Sequence, residues 1–116
     1  MHAPCITLRR AFVADHFHAL PAFREARHGH NWELEATVVL EDEGTEAALA
    51  EALDAWVRTA DYGLLNAQPP LEARNPTAEA VAQWVLEALE ARGFRVEQVR
   101  VREKTNYWAA CRREAP

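Results

Sequence analysis

Residues 32–40, with the sequence WELEATVVL, decide the fold class of this chain. Every even position in this stretch is apolar, and three of the four odd positions are polar. An apolar side chain at every second residue is typical of a β-strand that buries one face. We therefore expect a strand here, which the acidic turn EDEG that follows would end.

Three further segments carry the same period of two. Residues 6–16, 94–103 and 107–112 alternate between apolar and more polar positions, which predicts one strand before the central one and a strand pair near the end of the chain. Residues 104–106 would form the short turn within that pair. The prediction is an antiparallel four-stranded sheet.

Two amphipathic helices are expected between these strand pairs. Apolar residues recur at helical spacing in residues 49–61 and 81–89. The segment NPT at 75–77 suits a helix start, because Asn or Thr can cap free amides and Pro fits the first turn. Gly93 would end the second helix. The order β-β-α-α-β-β is that of an α+β fold with both helices on one face and open sheet edges that favour assembly.

Length and composition limit the possible classes of protein. The 116 residues, 49% of them apolar, suit a single domain over residues 1–116. With a net charge of -5 and no basic cluster, the chain is not expected to bind nucleic acid or anionic membranes. No apolar run nears the roughly 20 residues of a spanning helix, and no secretory signal is evident, so we expect a soluble cytoplasmic protein.

The two cysteines, Cys5 and Cys111, lie near opposite ends of the chain and form no CxxC pair. This spacing indicates neither a thiolate zinc site nor a disulfide framework. We expect both to be reduced residues that contribute to packing.

The histidines give the first indication of function, because four of the five fall within residues 16–30. His28 and His30 are two residues apart, so on an extended backbone both project from one face, and Gly29 permits close backbone approach between them. His16, or alternatively His18, could supply a third nitrogen if the two strands pair. Three imidazoles with an open fourth position are typical of a catalytic zinc site. Histidines that are exposed, or satisfied within the core, are the alternative interpretation.

Four segments, in order along nearly the whole chain, carry a family resemblance: FVADH at 12–16, HGHNW at 28–32, NPTAE at 75–79 and VRVRE at 99–103. They resemble the FxAxH strand end, the HGHN-aromatic segment, the NPTxE helix start and the late strand ending in glutamate of the 6-pyruvoyl-tetrahydropterin synthase and 6-carboxy-tetrahydropterin synthase (queuosine-pathway) family. The resemblance implies a tunnelling fold (T-fold) with the element order given above. It also implies a homo-oligomer, a trimer or a hexamer, with active sites between subunits.

The resemblance implies a cofactor and a substrate as well. It places Zn2+ on His16, His28 and His30, which favours His16 over His18. It places the pterin ring at Glu103, whose carboxylate can accept two parallel N–H bonds from the guanidine-like edge of a pterin. The implied substrate is 7,8-dihydroneopterin triphosphate. From the residues alone, Glu103 would be interpreted as a solvated hairpin residue.

The chain departs from the family pattern at two catalytic positions. Arg24 stands where the family usually has a cysteine, and Tyr62 follows Asp61 where the family usually has a histidine. Glu25 instead gives the motif ExxHGH, which resembles a branch whose product is 6-hydroxymethyl-dihydropterin for folate synthesis. We therefore expect Glu25, Asp61 and Tyr62 to be the catalytic residues. An exposed loop carboxylate is the alternative interpretation of Glu25.

The remaining candidates would contact the substrate. Thr105 is displaced by one residue from the usual Glu-Thr pair of the family. Arg24 and Arg27 flank the site and suit a triphosphate, since a guanidinium pairs with phosphate oxygens through two donors. Surface solubility is an equally good explanation of the two arginines.

These residues together predict a zinc-dependent lyase of pterin metabolism, with Glu25 as the base. The product would be 6-hydroxymethyl-dihydropterin or 6-carboxy-tetrahydropterin. A second hypothesis is a catalytically impaired, pterin-binding paralogue that has lost the family cysteine and histidine. A third is a structural subunit held together by its metal.

Overall fold

The structure, a computed structural model, describes residues 3–20, 23–72, 75–104 and 107–113, and of residues 17–20, 23–28 and 104 only the backbone. In chain order the elements are β1 (Cys5–Leu20), β2 (Phe23–Val39), α1 (Thr45–Ala60), β3 (Gly63–Leu64), α2 (Ala78–Ala91), β4 (Val96–Lys104) and β5 (Tyr107–Arg112). Two 3-10 turns, Leu65–Ala67 and Pro69–Leu71, follow β3. The predicted α+β class, with two helices between two strand pairs, is confirmed.

The strands form one mixed sheet in the order β3-β1-β2-β4-β5. The pairs among β1, β2, β4 and β5 are antiparallel, as expected, whereas β3 runs parallel to β1. The prediction of a four-stranded antiparallel sheet is therefore wrong by one short strand. β3 forms because the chain leaving α1 returns along the outer edge of β1. There the Tyr62 N–H donates to the Val13 carbonyl oxygen at 2.5 Å, and the Val13 N–H donates to Asp61 Oδ1 at 2.8 Å.

The pairing of β1 with β2 is longer than predicted, and the HGH segment lies inside β2. In this antiparallel register His16 pairs with His28, and Ala14 pairs with His30. The register shifts just after His16, so the regular ladder changes beside that residue. The backbone thus brings the predicted histidine segments of the two strands side by side.

Both helices pack on the same face of the sheet, and the core lies between these layers. The even-numbered residues of β2 from Trp32 to Val38 are fully buried, as their alternation predicts. Phe12 of β1 stacks on Trp32 with ring centroids 5.8 Å apart, and it meets the edge of Trp56 from α1 at 5.0 Å. Trp56 contacts Trp84 of α2 at 4.9 Å. A chain of four aromatic rings therefore joins the sheet to both helices.

The other face of the sheet, called the open face below, carries Arg9, Glu33, Glu35, Arg100 and Arg102. Arg102 Nη2 lies 2.6 Å from Glu33 Oε1, and Arg100 Nη1 lies 3.2 Å from Glu35 Oε1. Arg9 also pairs with Glu35. These ion pairs link β1, β2 and β4 across the surface, although a single exposed pair contributes little to stability.

The cysteines have different surroundings. Both are free thiols. Cys111 of β5 packs against the core, as expected, but Cys5 is exposed, so its predicted packing role is wrong. Cys5 lies at the start of β1, on the side of the strand that faces away from the helices.

Neither helix of the described residues has the length and apolar character needed to cross a lipid bilayer.

Thr77 caps α2, as predicted, and its side chain accepts a hydrogen bond from the Ala80 N–H at 3.1 Å. Beyond the other end of the helix, Gly93 has a φ of 96°, a left-handed conformation that glycine adopts without strain. The cap fixes where α2 begins. It therefore also fixes the position of Pro76, the residue before the cap.

We expect Thr77→Ala to lower the free energy of unfolding by about 1 kcal/mol, because the Ala80 amide loses its acceptor. Urea denaturation followed by circular dichroism measures this change. Thr59→Ala is the matched control, since the exposed Thr59 hydroxyl donates to the Ala55 carbonyl of its own helix at 3.2 Å. That variant should change stability by less than about 0.5 kcal/mol. Equal losses in the two variants would contradict the capping role.

Candidate metal centre

Three side chains from three neighbouring strands converge on the helix-facing side of the sheet. They are His16 of β1, His30 of β2 and Glu103 of β4, called the His-His-Glu cluster below. One nitrogen or oxygen atom of each lies within 4.8 Å of the others. His16 is fully buried, whereas the Glu103 side chain is 12% exposed. Imidazole nitrogens and a carboxylate oxygen at this spacing suit a divalent cation such as zinc.

His16 is held by a hydrogen bond to the segment that precedes α2. Its Nδ1 lies 2.9 Å from the Pro76 carbonyl oxygen, and because a carbonyl can only accept, Nδ1 carries a proton. A neutral ring then has its lone pair on Nε2, which lies 3.5 Å from Glu103 Oε2. Metal-binding histidines are usually oriented in this way, with one ring nitrogen donating to a carbonyl and the other facing the ion.

The contact between His16 Nε2 and Glu103 Oε2 brings two electron-pair donors together. They repel each other unless a proton or a cation lies between them. Among the residues that the structure describes, none forms a hydrogen bond to the buried Glu103 Oε2. The donor set therefore fits a zinc ion bound at this point.

Trp32 restricts the orientation of both imidazoles. Its ring lies edge-on to both imidazoles, and its ring centroid is 5.1 Å from that of His16 and 6.0 Å from that of His30. The two imidazoles are edge-on to each other, with their ring centroids 5.0 Å apart. The indole is itself anchored, since Trp32 Nε1 donates to the Ala14 carbonyl oxygen at 3.1 Å. The two rings are therefore packed against a fixed aromatic side chain.

Gly29, between the two histidines of the HGH segment, lies opposite Asp15 of β1. A Cβ atom at this position would lie 2.8 Å from Asp15 Oδ1, which is closer than such atoms approach. Any larger residue would therefore displace the Asp15 carboxylate. The sequence indicated a close approach at this glycine but did not identify the group that approaches.

Glu103 occupies an irregular position in β4. Arg102 pairs with Trp108, and Lys104 pairs with Tyr107, so Glu103 is an extra residue on its strand. Such a β-bulge changes the direction of a side chain relative to a regular ladder. Sequence reasoning placed Glu103 on a regular strand, because a one-residue insertion leaves no mark on so short a pattern.

Several predicted site residues lie outside the described side chains: His18, Arg24, Glu25, Arg27, His28 and Thr105. Of this group, the backbone pairing is informative for His28, which lies directly opposite His16. This is the register that the three-histidine prediction requires. The roles of all six residues stay predictions.

Asp61 and Tyr62 follow α1 and lie against the outer edge of β1. The Asp61 carboxylate accepts the Val13 N–H, as described above, and the Tyr62 side chain is 83% exposed. Tyr62 has a φ of 57°, which costs a non-glycine residue roughly 1–2 kcal/mol. Both residues line a cavity of about 230 Å³ that includes Glu33 and Arg102 of the open face. Asp61 is not a member of the His-His-Glu cluster, and the catalytic roles of both residues stay predictions.

A hydrogen bond between Tyr107 and Glu79 was not foreseen from the sequence. The Tyr107 hydroxyl at the start of β5 donates to Glu79 Oε1 in the first turn of α2. Because this contact spans 28 residues, no local pattern indicates it. Glu79 itself was recognised only as part of the NPTAE segment.

This contact changes the ionisation of both side chains. The hydrogen bond from Tyr107 lowers the pKa of Glu79, and the same bond raises the pKa of Tyr107. The contact therefore stabilises the fold at pH values above the ordinary pKa of a glutamate, and this contribution is lost as the pH falls through the lowered value. It is also lost as the pH rises through the raised pKa of the phenol.

Comparison with known proteins extends these observations. The family model described as 6-pyruvoyl tetrahydropterin synthase matches residues 5–114. The comparison with curated protein sequences gives no significant match.

Three similar solved structures share the fold. The Caenorhabditis elegans 6-pyruvoyl tetrahydropterin synthase has a TM-score of 0.73 and 18% identity, over 98% of this chain and 100% of that chain. The Plasmodium falciparum 6-pyruvoyl tetrahydropterin synthase has a TM-score of 0.71 and 16% identity, over 97% and 99% of the two chains. A Plasmodium vivax 6-pyruvoyltetrahydropterin synthase, in which a catalytic glutamate is mutated to alanine, has a TM-score of 0.70 and 17% identity, over 99% and 100%.

The predicted T-fold is confirmed by these likenesses, with the short β3 as an addition to the predicted sheet. The family resemblance of the four sequence segments is confirmed by the match of the family model, whose members are lyases. Because that match covers nearly the whole sequence, the chain belongs to the 6-pyruvoyl tetrahydropterin synthase family.

Proposed function

We propose that the chain is a zinc-dependent lyase that acts on 7,8-dihydroneopterin triphosphate in the cytoplasm. The observation that carries this proposal is the convergence of His16, His30 and Glu103, whose side-chain nitrogen and oxygen atoms lie within 4.8 Å of one another. Family membership supplies the pterin chemistry, and the cluster supplies a place for the metal.

His16, His28 and His30 are the proposed zinc ligands. His16 is oriented by Pro76, His30 lies in the cluster, and the backbone pairs His28 with His16. A zinc ion held there supplies a Lewis acid that lowers the pKa of substrate hydroxyl groups. His18 is the alternative to His16, but its side chain is not among those described.

Glu103 is the proposed partner of the pterin ring. A carboxylate can accept two parallel N–H bonds from the guanidine-like edge of a pterin, and the Glu103 carboxylate is largely buried beside the histidines. The same position would also allow Glu103 to be a third metal ligand in place of His28. Thr105, Arg24 and Arg27 would contact the rest of the substrate, with the two guanidinium groups on the triphosphate.

Glu25 is the proposed general base. Removal of a proton from a side-chain hydroxyl of the substrate then permits retro-aldol cleavage of the side chain, which releases 6-hydroxymethyl-dihydropterin and a triphosphorylated aldehyde. The alternative is elimination of triphosphate, as a first step towards 6-carboxy-tetrahydropterin. The Plasmodium vivax structure named above carries a mutated catalytic glutamate, so a glutamate performs catalysis on a similar fold. This supports a glutamate in place of the usual family cysteine.

Asp61 and Tyr62 complete the proposal if the protein forms trimers or hexamers. Tyr62 is exposed on its own chain, and its N–H donates to the Val13 carbonyl oxygen, while the Val13 N–H donates to the carboxylate of the preceding Asp61. In an oligomer with active sites between subunits, Tyr62 would act on a neighbouring site, with Asp61 holding it in place. Tyr62 would then donate or relay a proton where the family usually has a histidine.

A pterin-binding paralogue without catalysis is the second candidate function. It is favoured by the sequence, which has Arg24 and Tyr62 where the family usually has a cysteine and a histidine. Such a protein would keep the metal and the pterin pocket and lack turnover.

We expect purified protein loaded with Zn2+ to convert 7,8-dihydroneopterin triphosphate into a 6-substituted pterin, identified by chromatography with fluorescence detection. Glu25→Ala should reduce kcat by about 100-fold or more, because a general base contributes at least that factor. Glu43→Ala, in the exposed turn after β2, is the control and should leave kcat unchanged. Pterin binding without any product would favour the paralogue.

Zinc affinity separates the two possible ligand sets. We expect His28→Ala to weaken Zn2+ binding by at least about 100-fold, measured by competition with a chromophoric chelator. Glu103→Gln should retain zinc and lose pterin binding, whereas the exposed Glu97→Gln on the same strand should change neither. The reverse result, with zinc lost in Glu103→Gln and kept in His28→Ala, would assign the metal to the His-His-Glu cluster.

A further inference from the structure

The first turn of α2 and the residue before its cap contact the surroundings of both His16 and Glu103. The Pro76 carbonyl oxygen accepts from His16 Nδ1, and the Glu79 carboxylate accepts from the Tyr107 hydroxyl. These two acceptors are three residues apart at one helix end. One of these hydrogen bonds therefore reaches His16 directly, and the other reaches Tyr107, whose backbone pairs with the residue after Glu103.

Tyr107 lies where it can control the bulge that contains Glu103. Its backbone pairs with Lys104, the residue directly after Glu103, and the ladder is irregular between Arg102 and Lys104. A bulged residue lacks the regular pairing that would otherwise fix its position. The side chain of Tyr107 supplies a fixed point here through its bond to Glu79 on the helix.

We propose that Glu79 and Tyr107 are positioning residues whose hydrogen bond holds the bulged Glu103 at its distance from the two histidines. The pair, called the Glu79-Tyr107 latch below, thereby sets the affinity of the site for the ligand of Glu103. The statement that this ligand is a pterin rests on the proposed function. The statement that the latch places Glu103 is independent of the proposed function.

Exposure distinguishes a positioning role from a merely structural one. Tyr107 is 44% exposed, and Glu79 is also exposed, so the bond contributes little to the stability of the fold. The fold, with its buried aromatic core, does not depend on it. A small shift of Glu103 would nevertheless change binding, because a buried carboxylate must meet its partner at hydrogen-bonding distance.

The existence of the latch in solution is tested by titration. We expect Tyr107→Phe to return the pKa of Glu79 towards the ordinary value of a glutamate, because the phenol donor that favours the carboxylate is removed. Carbon-13 NMR of the side-chain carboxyl group measures this pKa. Tyr62→Phe removes the other tyrosine hydroxyl of the chain and should leave the pKa of Glu79 unchanged. An unchanged pKa in Tyr107→Phe would show that the bond does not form.

The function of the latch is tested by a double-mutant cycle of Tyr107→Phe, Glu79→Ala and the double variant. The probe is neopterin, whose binding is followed by its fluorescence. Each single variant should weaken binding by about tenfold, as the loss of outer partners of a site does, and the double variant should lose no more than either one. Glu79→Gln should restore most of the affinity, since its amide oxygen still accepts from the phenol.

Glu87→Ala is the matched control on the same helix. Glu87 is exposed and accepts a side-chain hydrogen bond from Gln83 Nε2 at 3.0 Å, about two turns along α2 from Glu79. It should leave neopterin binding unchanged. Unchanged affinity in the latch variants, or losses that add in the double variant, would overturn the proposal.

A separate measurement keeps the latch testable if the wild-type protein binds no pterin, which would instead refute the proposed function. The Glu103 carboxyl carbon resonance reports its surroundings without any ligand. It should shift in Tyr107→Phe and in Glu79→Ala, but not in Glu87→Ala. A resonance that stays in place in all three variants would show that the latch does not position Glu103.

Discussion

The antiparallel register of β1 on β2 is the constraint on which the site depends. It places His16 opposite His28 and Ala14 opposite His30, so the histidine segments of two strands share one region of the sheet. Because side chains alternate between faces, a slip of one residue would move His16 or His30 to the open face. The buried even-numbered residues of β2 and the bond from Trp32 Nε1 to Ala14 oppose such a slip.

The start of α2 provides a second constraint, which acts across the layers of the fold. The Thr77 cap fixes where the helix begins, and Pro76 immediately before it receives the Nδ1 proton of His16. The NPTAE segment is thus both a helix start and a support for a buried imidazole. Although this segment is far from the histidines in sequence, its hydrogen bond to His16 places it beside them in the fold.

Local patterns in the sequence account for most of the elements. The period of two in β2 and the helical spacing in α1 and α2 reflect burial against one layer, which each segment encodes by itself. β3 could not be foreseen, since it has two residues and exists through backbone bonds to Val13. The exposure of Cys5 depends on which face of β1 meets the helices near its start, and the cysteine alone does not show this.

The candidate site likewise combines residues that local sequence patterns indicate with residues that those patterns do not indicate. His16 and His30 could be brought together from strand periodicity, whereas Glu103 entered only through the family resemblance. Its bulge and the contact of Tyr107 with Glu79 depend on residues that are distant in sequence. The position of Tyr62 depends on the path of the chain after α1, which no pattern within the segment specifies.

The glycine of the HGH segment shows that two faces of the sheet shape one short motif. His30 faces Glu103 on one side, while the Asp15 carboxylate lies over Gly29 on the other, where a Cβ would lie 2.8 Å from Oδ1. Anyone who transfers this candidate metal centre to another β-hairpin therefore has to consider the aspartate and the glycine together with the imidazoles. A design that copies only the imidazoles would leave out the close packing of the Asp15 carboxylate on Gly29.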